Sequence, residues 1–78
     1  MTTEQINAAF VTYVEQNFPR YVVDTSFEDF YYLLPQTGDD DDSIEYNETT
    51  HALNGMEWAS QTTLDDIVTM EAYIQTLL

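Results

Sequence analysis

A chain of 78 residues with 15 Asp and Glu, a single arginine (Arg20) and no lysine has a formal net charge of −14, a balance that excludes anionic nucleic acid and anionic membranes as favoured partners. Hydrophobic residues make up 44% of it and aromatics 14%, too apolar for ordinary disorder, so one compact domain spanning residues 1–78 with modest stability is expected. Cysteine is absent, which removes disulfides and thiolate metal sites, and the lack of a bilayer-length apolar run or a basic leader pattern makes the chain read as cytoplasmic.

In chain order, Thr2-Thr3-Glu4-Gln5 forms a helix start, and Ile6, Ala9, Phe10, Tyr13, Val14 and Phe18 recur at spacings of three and four. This predicts an amphipathic helix over 3–18, ended by Pro19. Tyr21-Val22-Val23 is short and extended in character, either a linker or a brief strand. Ser26 followed by Asp29 resembles a capping box leading into Phe30, Tyr31, Leu33 and Leu34, which predicts a short second helix ending before Pro35. Residues 35–43, with Gly38 and four consecutive aspartates, read as a solvated acidic loop. Ile44-Glu45-Tyr46 alternates as a strand does. Ala52, Leu53, Met56 and Ala59 predict a third helix near 50–60, weakened by Gly55. Thr62-Thr63 with Asp65-Asp66 opens a last helix whose stripe is Leu64, Ile67, Val68, Ile74, Leu77 and Leu78. The economical architecture is mainly α, a small helical bundle of three to four helices, with a two-stranded ribbon from 21–24 and 44–47 as an addition.

The chemistry-bearing residues point to binding and away from catalysis. Asp39, Asp40, Asp41, Asp42 and Glu45 suggest calcium, yet an EF-hand loop begun at Asp39 would need glycine and glutamate where Ile44 and Thr50 stand. His51 is the only histidine and has no cysteine, lysine or second histidine with which to build a nucleophile or a zinc site. Carboxylate pairs such as Glu28 and Asp29 carry little information in so acidic a chain. Asn47-Glu48-Thr49 matches a glycosylation sequon by chance in a chain without a secretory leader. No enzymatic activity and no cofactor are expected. The aromatic clusters (Phe10, Tyr13, Phe18; Phe27, Phe30, Tyr31, Tyr32; Met56, Trp58) are mostly core, while Tyr32, Tyr46 or Trp58 are candidates to flank an acidic contact face.

Duplex DNA carries one negative charge per roughly 1.7 Å of axis, and carboxylates on helices, which rise about 1.5 Å per residue, approximate that density on a protein surface. In size, lysine depletion and one-signed charge the chain resembles the small acidic DNA-mimic inhibitors encoded mainly by phages: anti-CRISPR proteins, anti-restriction proteins and uracil-DNA glycosylase inhibitors. The resemblance is to the class and covers the whole chain without a shared motif. It implies an inhibitor, acting in the host cytoplasm, that occupies the nucleic-acid groove of a basic protein or complex without itself binding nucleic acid or membrane. The expected contact set is Glu28, Asp29, Asp39, Asp40, Asp41, Asp42, Glu45, Asp65 and Asp66, with Tyr32 and Tyr46. Two other readings stand beside it. Asp42-Ser43-Ile44 is similar to the Asp-Ser-Leu of acyl carrier proteins, with Ser43 as the attachment site, although the following residues lack that family's helical stripe. A small acidic structural or interaction subunit, whose charge serves solubility, is the other. Self-association as a homodimer would supplement a small core.

Overall fold

The computed structural model describes residues 1–38 and 40–78. Among these residues the chain forms two α-helices and a four-stranded antiparallel sheet, an α+β fold, and the expected helical bundle is thereby corrected. Helix α1 (Thr3–Asn17) is followed by strands β1 (Tyr21–Asp24) and β2 (Phe30–Pro35), a 3-10 turn at Asp40–Asp42, strands β3 (Ile44–Asn47) and β4 (Leu53–Gly55), and helix α2 (Gln61–Leu77). The strands lie in the order β1-β2-β3-β4, a meander in which each strand pairs with the next in sequence.

The helical ends follow local chemistry. Thr2 and Gln5 form a complete capping box, each side chain meeting the other's backbone N–H, which satisfies two donors that the first turn leaves unpaired. α1 stops at Asn17, two residues before Pro19. Ser60 caps α2, its hydroxyl accepting from the Thr63 N–H, so the start lies slightly before the threonines that signalled it.

Residues 26–34 do not form the expected second helix. The Ser26 hydroxyl and backbone N–H both donate to Asp24 Oδ1, at 2.6 and 2.9 Å, instead of capping a following turn. Asp29 adopts φ 69, a left-handed conformation that a right-handed helix excludes. Beyond it Phe30–Pro35 pairs with β1 through Val22↔Leu34 and Asp24↔Tyr32, and with β3 through Phe30↔Asn47 and Tyr32↔Glu45. The residues proposed as a two-stranded ribbon are both strands, but β2 lies between them.

The third expected helix is likewise replaced, by a β3–β4 hairpin and a loop. Asn47 Oδ1 accepts from the Thr49 and Thr50 N–H groups at 2.8 and 2.9 Å, an Asx turn that competes with helix, and His51 sits at φ 64. Leu53 pairs with Tyr46 and Gly55 with Ile44. A Cβ on Gly55 would lie 3.0 Å from Ile67 Cδ1, so the glycine that weakened the helix prediction is the point where β4 meets α2.

One face of the sheet is packed and the other is not. Tyr21, Leu33, Ile44, Tyr46 and Leu53 form the core together with Phe10 and Val14 of α1 and Ile67, Met70 and Ile74 of α2. Phe10 stacks on Tyr46 with ring centroids 4.2 Å apart, and Tyr13 stacks on Tyr73 at 3.9 Å where the helices meet. The α2 stripe is therefore Ile67, Met70 and Ile74, while Leu64, Val68 and Leu78 are exposed. The alternate residues of each strand, Val22, Asp24, Phe30, Tyr32, Leu34, Glu45 and Asn54, point to the opposite face, which no helix among the described residues covers.

Candidate protein-binding face

The acids expected to make contact are dispersed by the fold, and their neighbours give them different duties. Glu28 and Asp29 are exposed in the β1–β2 connection beside Phe27. Glu45 is opposite both Tyr32 and Asn54 in the register, so it shares the uncovered face with them. Asp65 is exposed on α2 and accepts from Gln61 Nε2 at 2.9 Å. Asp40 is exposed at the start of the 3-10 turn and Asp41 is half-buried in it; Asp39 lies outside the described residues.

Two members of the set are internal ties. Asp66 pairs with Arg20 and accepts from the Tyr21 hydroxyl at 2.7 Å, with only 13% of its side chain exposed. The protein's one arginine thus joins the start of β1 to α2. Asp42 accepts from the Ser60 N–H at 2.9 Å and from the Thr63 hydroxyl at 2.8 Å, fastening the acidic turn to the first turn of α2. Anions are favoured at that end of a helix.

These hydrogen bonds, from the Ser60 backbone first, hold the Asp42 carboxyl below its ordinary 3.8. A carboxylate depressed in the folded state adds stability above its unfolded pKa and loses it as the pH falls through the folded value. Asp42→Asn is accordingly expected to lower the melting temperature at neutral pH and to flatten its decline below about pH 4. A melting profile with an unchanged acid limb would deny this role.

Tyr46 does not belong to a contact surface: it is fully buried. Its place is in a polar cluster inside the core. The Asn7 amide is oriented by donation from Nδ2 to the Glu48 carbonyl at 3.0 Å, which leaves Oδ1 to accept from the Tyr46 hydroxyl at 2.5 Å. A phenol has one proton, so at the other contact, 2.7 Å from His51 Nδ1, the hydroxyl oxygen accepts and the imidazole donates. Burial, and then the neighbouring Tyr31 and Glu48, raise the Tyr46 pKa, keeping it a neutral structural group. Ser43 is also buried and immediately precedes β3, where a carrier's attachment serine must be exposed at a helix start.

The strongest surface feature is one that sequence periodicity concealed. On the uncovered sheet face Val22 is 50% and Phe27 56% exposed. Phe27 meets Tyr32 edge to face at 5.1 Å, and Phe30 lies 6.4 Å from the same ring. Asp24 and Glu45 occupy the strands on either side of Tyr32, and Glu28 and Asp29 follow Phe27. An aromatic centre with a charged rim is the arrangement of protein interfaces. Trp58, 76% exposed, is the other large exposed aromatic among the described residues, with Leu64 and Val68 exposed on α2 beyond it.

The open clefts offer less. One of about 420 Å³ is lined by Glu4, Asn7, Tyr31 and Glu48 among others, and another of about 260 Å³ by His51 and Glu71. Among the described residues no three His, Asp or Glu are grouped to hold a metal ion, and no helix is long and apolar enough to cross a membrane. Comparison with protein-family models, with curated proteins and with solved structures found no match.

Proposed function

We propose that this protein is a non-enzymatic inhibitor that binds a basic nucleic-acid-binding protein or complex and excludes nucleic acid from its groove, in the manner of anti-CRISPR and anti-restriction DNA mimics. The observation that carries this reading is the electrostatic one. Fifteen acids stand against one arginine, and that arginine is paired with Asp66. A uniformly anionic small domain destabilises itself through repulsion. Such a surface is useful where it meets a cationic groove, because complementary potentials accelerate encounter and discriminate against wrong partners.

The test is kinetic and competitive. Immobilised protein should capture a basic partner with an association rate that falls steeply as salt is raised, since screening shortens the reach of the field to about 8 Å at physiological ionic strength. Nucleic acid and this protein should exclude one another from that partner. Glu28→Gln, Asp29→Asn and Glu45→Gln combined should weaken capture without lowering the melting temperature, because none of the three is an internal tie of the kind formed by Asp42 and Asp66. An association rate indifferent to salt, or a ternary complex with nucleic acid, would remove the proposal.

A further inference from the structure

The uncovered sheet face carries more than charge. A pure duplex mimic needs anions at phosphate spacing and nothing else, because the bases of a duplex are stacked inside it. Here the acids surround aromatic side chains, Phe27 exposed and Phe30 and Tyr32 half-buried. Along β2 the outward side chains Phe30, Tyr32 and Leu34 follow one another at about 6.7 Å, twice the rise per residue of a strand. Phe27 folds over from the β1–β2 connection to meet Tyr32 at 5.1 Å. Flanking them in the register, Asp24 lies opposite Tyr32 on β1 and Glu45 opposite it on β3. Hydrogen bonds from Ser26 hold the Asp24 carboxyl below its ordinary pKa, so it remains an anion. Grooves for single-stranded nucleic acid combine a cationic track for the backbone with aromatic or arginine platforms on which bases stack, and an arginine in such a groove also favours the face of an aromatic ring.

Resting on the mimicry reading, we propose that this sheet face is the docking surface and that its occupant is the single-strand-binding groove of a basic protein. Phe27 and Tyr32 take the places of stacked bases. Asp24, Glu28, Asp29 and Glu45 take those of phosphates. The match is one of chemistry on both counts: the apolar centre excludes water from the contact, and the acidic rim selects a cationic partner over a second copy of this chain, which would bring its own −14 charge to the interface.

The experiment uses the full chain, immobilised and exposed to bacterial lysate at low salt, with bound protein eluted in parallel by a thymidine oligonucleotide or by a DNA duplex of equal phosphate content. The expected result is elution by the single strand at a phosphate concentration at least about tenfold below that needed with duplex. Phe27→Ala and Tyr32→Ala should each reduce affinity for the eluted protein by about 10- to 100-fold, given that one base–aromatic stack is worth about that much. Tyr32→Phe, which keeps the ring, should restore it, and Glu15→Gln on α1 should leave it unchanged. Circular dichroism of the alanine variants should match the parent, since both side chains lie outside the core. Elution by duplex at equal or lower concentration, or alanine variants that bind like the parent, overturns this inference and leaves mimicry standing. Loss of binding on Trp58→Ala but not on Tyr32→Ala moves the docking surface to the α2 side and also overturns it. Release by neither nucleic acid overturns both readings.

Discussion

Phe10→Ala is expected to lower the stability of the fold by about 3–5 kcal/mol, the cost of removing a large buried ring and leaving a cavity. Phe10 is fully buried and lies nearly parallel to Tyr46, at 15° between ring planes, so the substitution also strips one face of the residue that holds the Asn7 and His51 cluster. The consequence is large because the total is small: at roughly 0.05–0.15 kcal/mol per residue a chain of this length has about 4–12 kcal/mol to lose. Thermal denaturation followed by circular dichroism should show a fall of at least about 12 °C, at about 4–8 °C per kcal/mol for a domain of this size. A much smaller shift would mean that α1 does not close the core over the sheet. Phe10→Leu, which keeps most of the volume, should recover much of the loss.

The two long helices were legible because apolar residues recur in them at spacings of three and four and their ends carry strong signals, Thr2 with Gln5 at one start and Pro19 at one stop, although in α2 the recurrence also took in the exposed Leu64 and Val68. β2 was concealed by the very property that makes its face a candidate site. A half-buried strand announces itself by alternation, but in Phe30–Leu34 the outward residues are as apolar as the inward Tyr31 and Leu33, so the period of two vanishes. The aromatic content of the run favours strand, but the spacing of Ser26 and Asp29 imitates a helix cap. The structure shows Ser26 hydrogen-bonding backwards, to Asp24. In β4 only Leu53 and Gly55 face the core, too few for any pattern to show.

The candidate site was legible as a composition and not as a geometry. Counting acids gives a net charge of −14, the basis for proposing a cationic partner; it cannot show that Asp42 and Asp66 are hydrogen-bonded to Thr63 and Tyr21, or that Tyr46 is interior while Phe27 is exposed. Those assignments depend on register. Shifting a strand by one residue exchanges its two faces, and register here was set by partners that the sequence reading placed in helices.

The lone arginine offers the second large effect. Arg20→Ala should destabilise the fold by about 1–3 kcal/mol, between the roughly 0–1 kcal/mol of an exposed pair and the roughly 3–5 kcal/mol lost when a fully buried pair is broken. The intermediate value follows from the asymmetry of the pair: the Arg20 side chain is 49% exposed, whereas Asp66 is 13% exposed and would be left as a nearly buried anion. Its remaining hydrogen bond from Tyr21 cannot supply the missing charge. If the unpaired carboxylate is the cause, adding Asp66→Asn to Arg20→Ala should regain most of the stability, because a neutral amide still accepts from Tyr21 at far lower desolvation cost. A double variant as unstable as Arg20→Ala alone would instead assign the loss to the guanidinium packed 5.2 Å from the Tyr21 ring centre. Recovery would give the one cation in a chain otherwise without lysine and arginine a structural role: it neutralises the acid that the α2–β1 junction nearly buries, while the anions that face solvent keep the field on which the proposed recognition of a basic groove would depend.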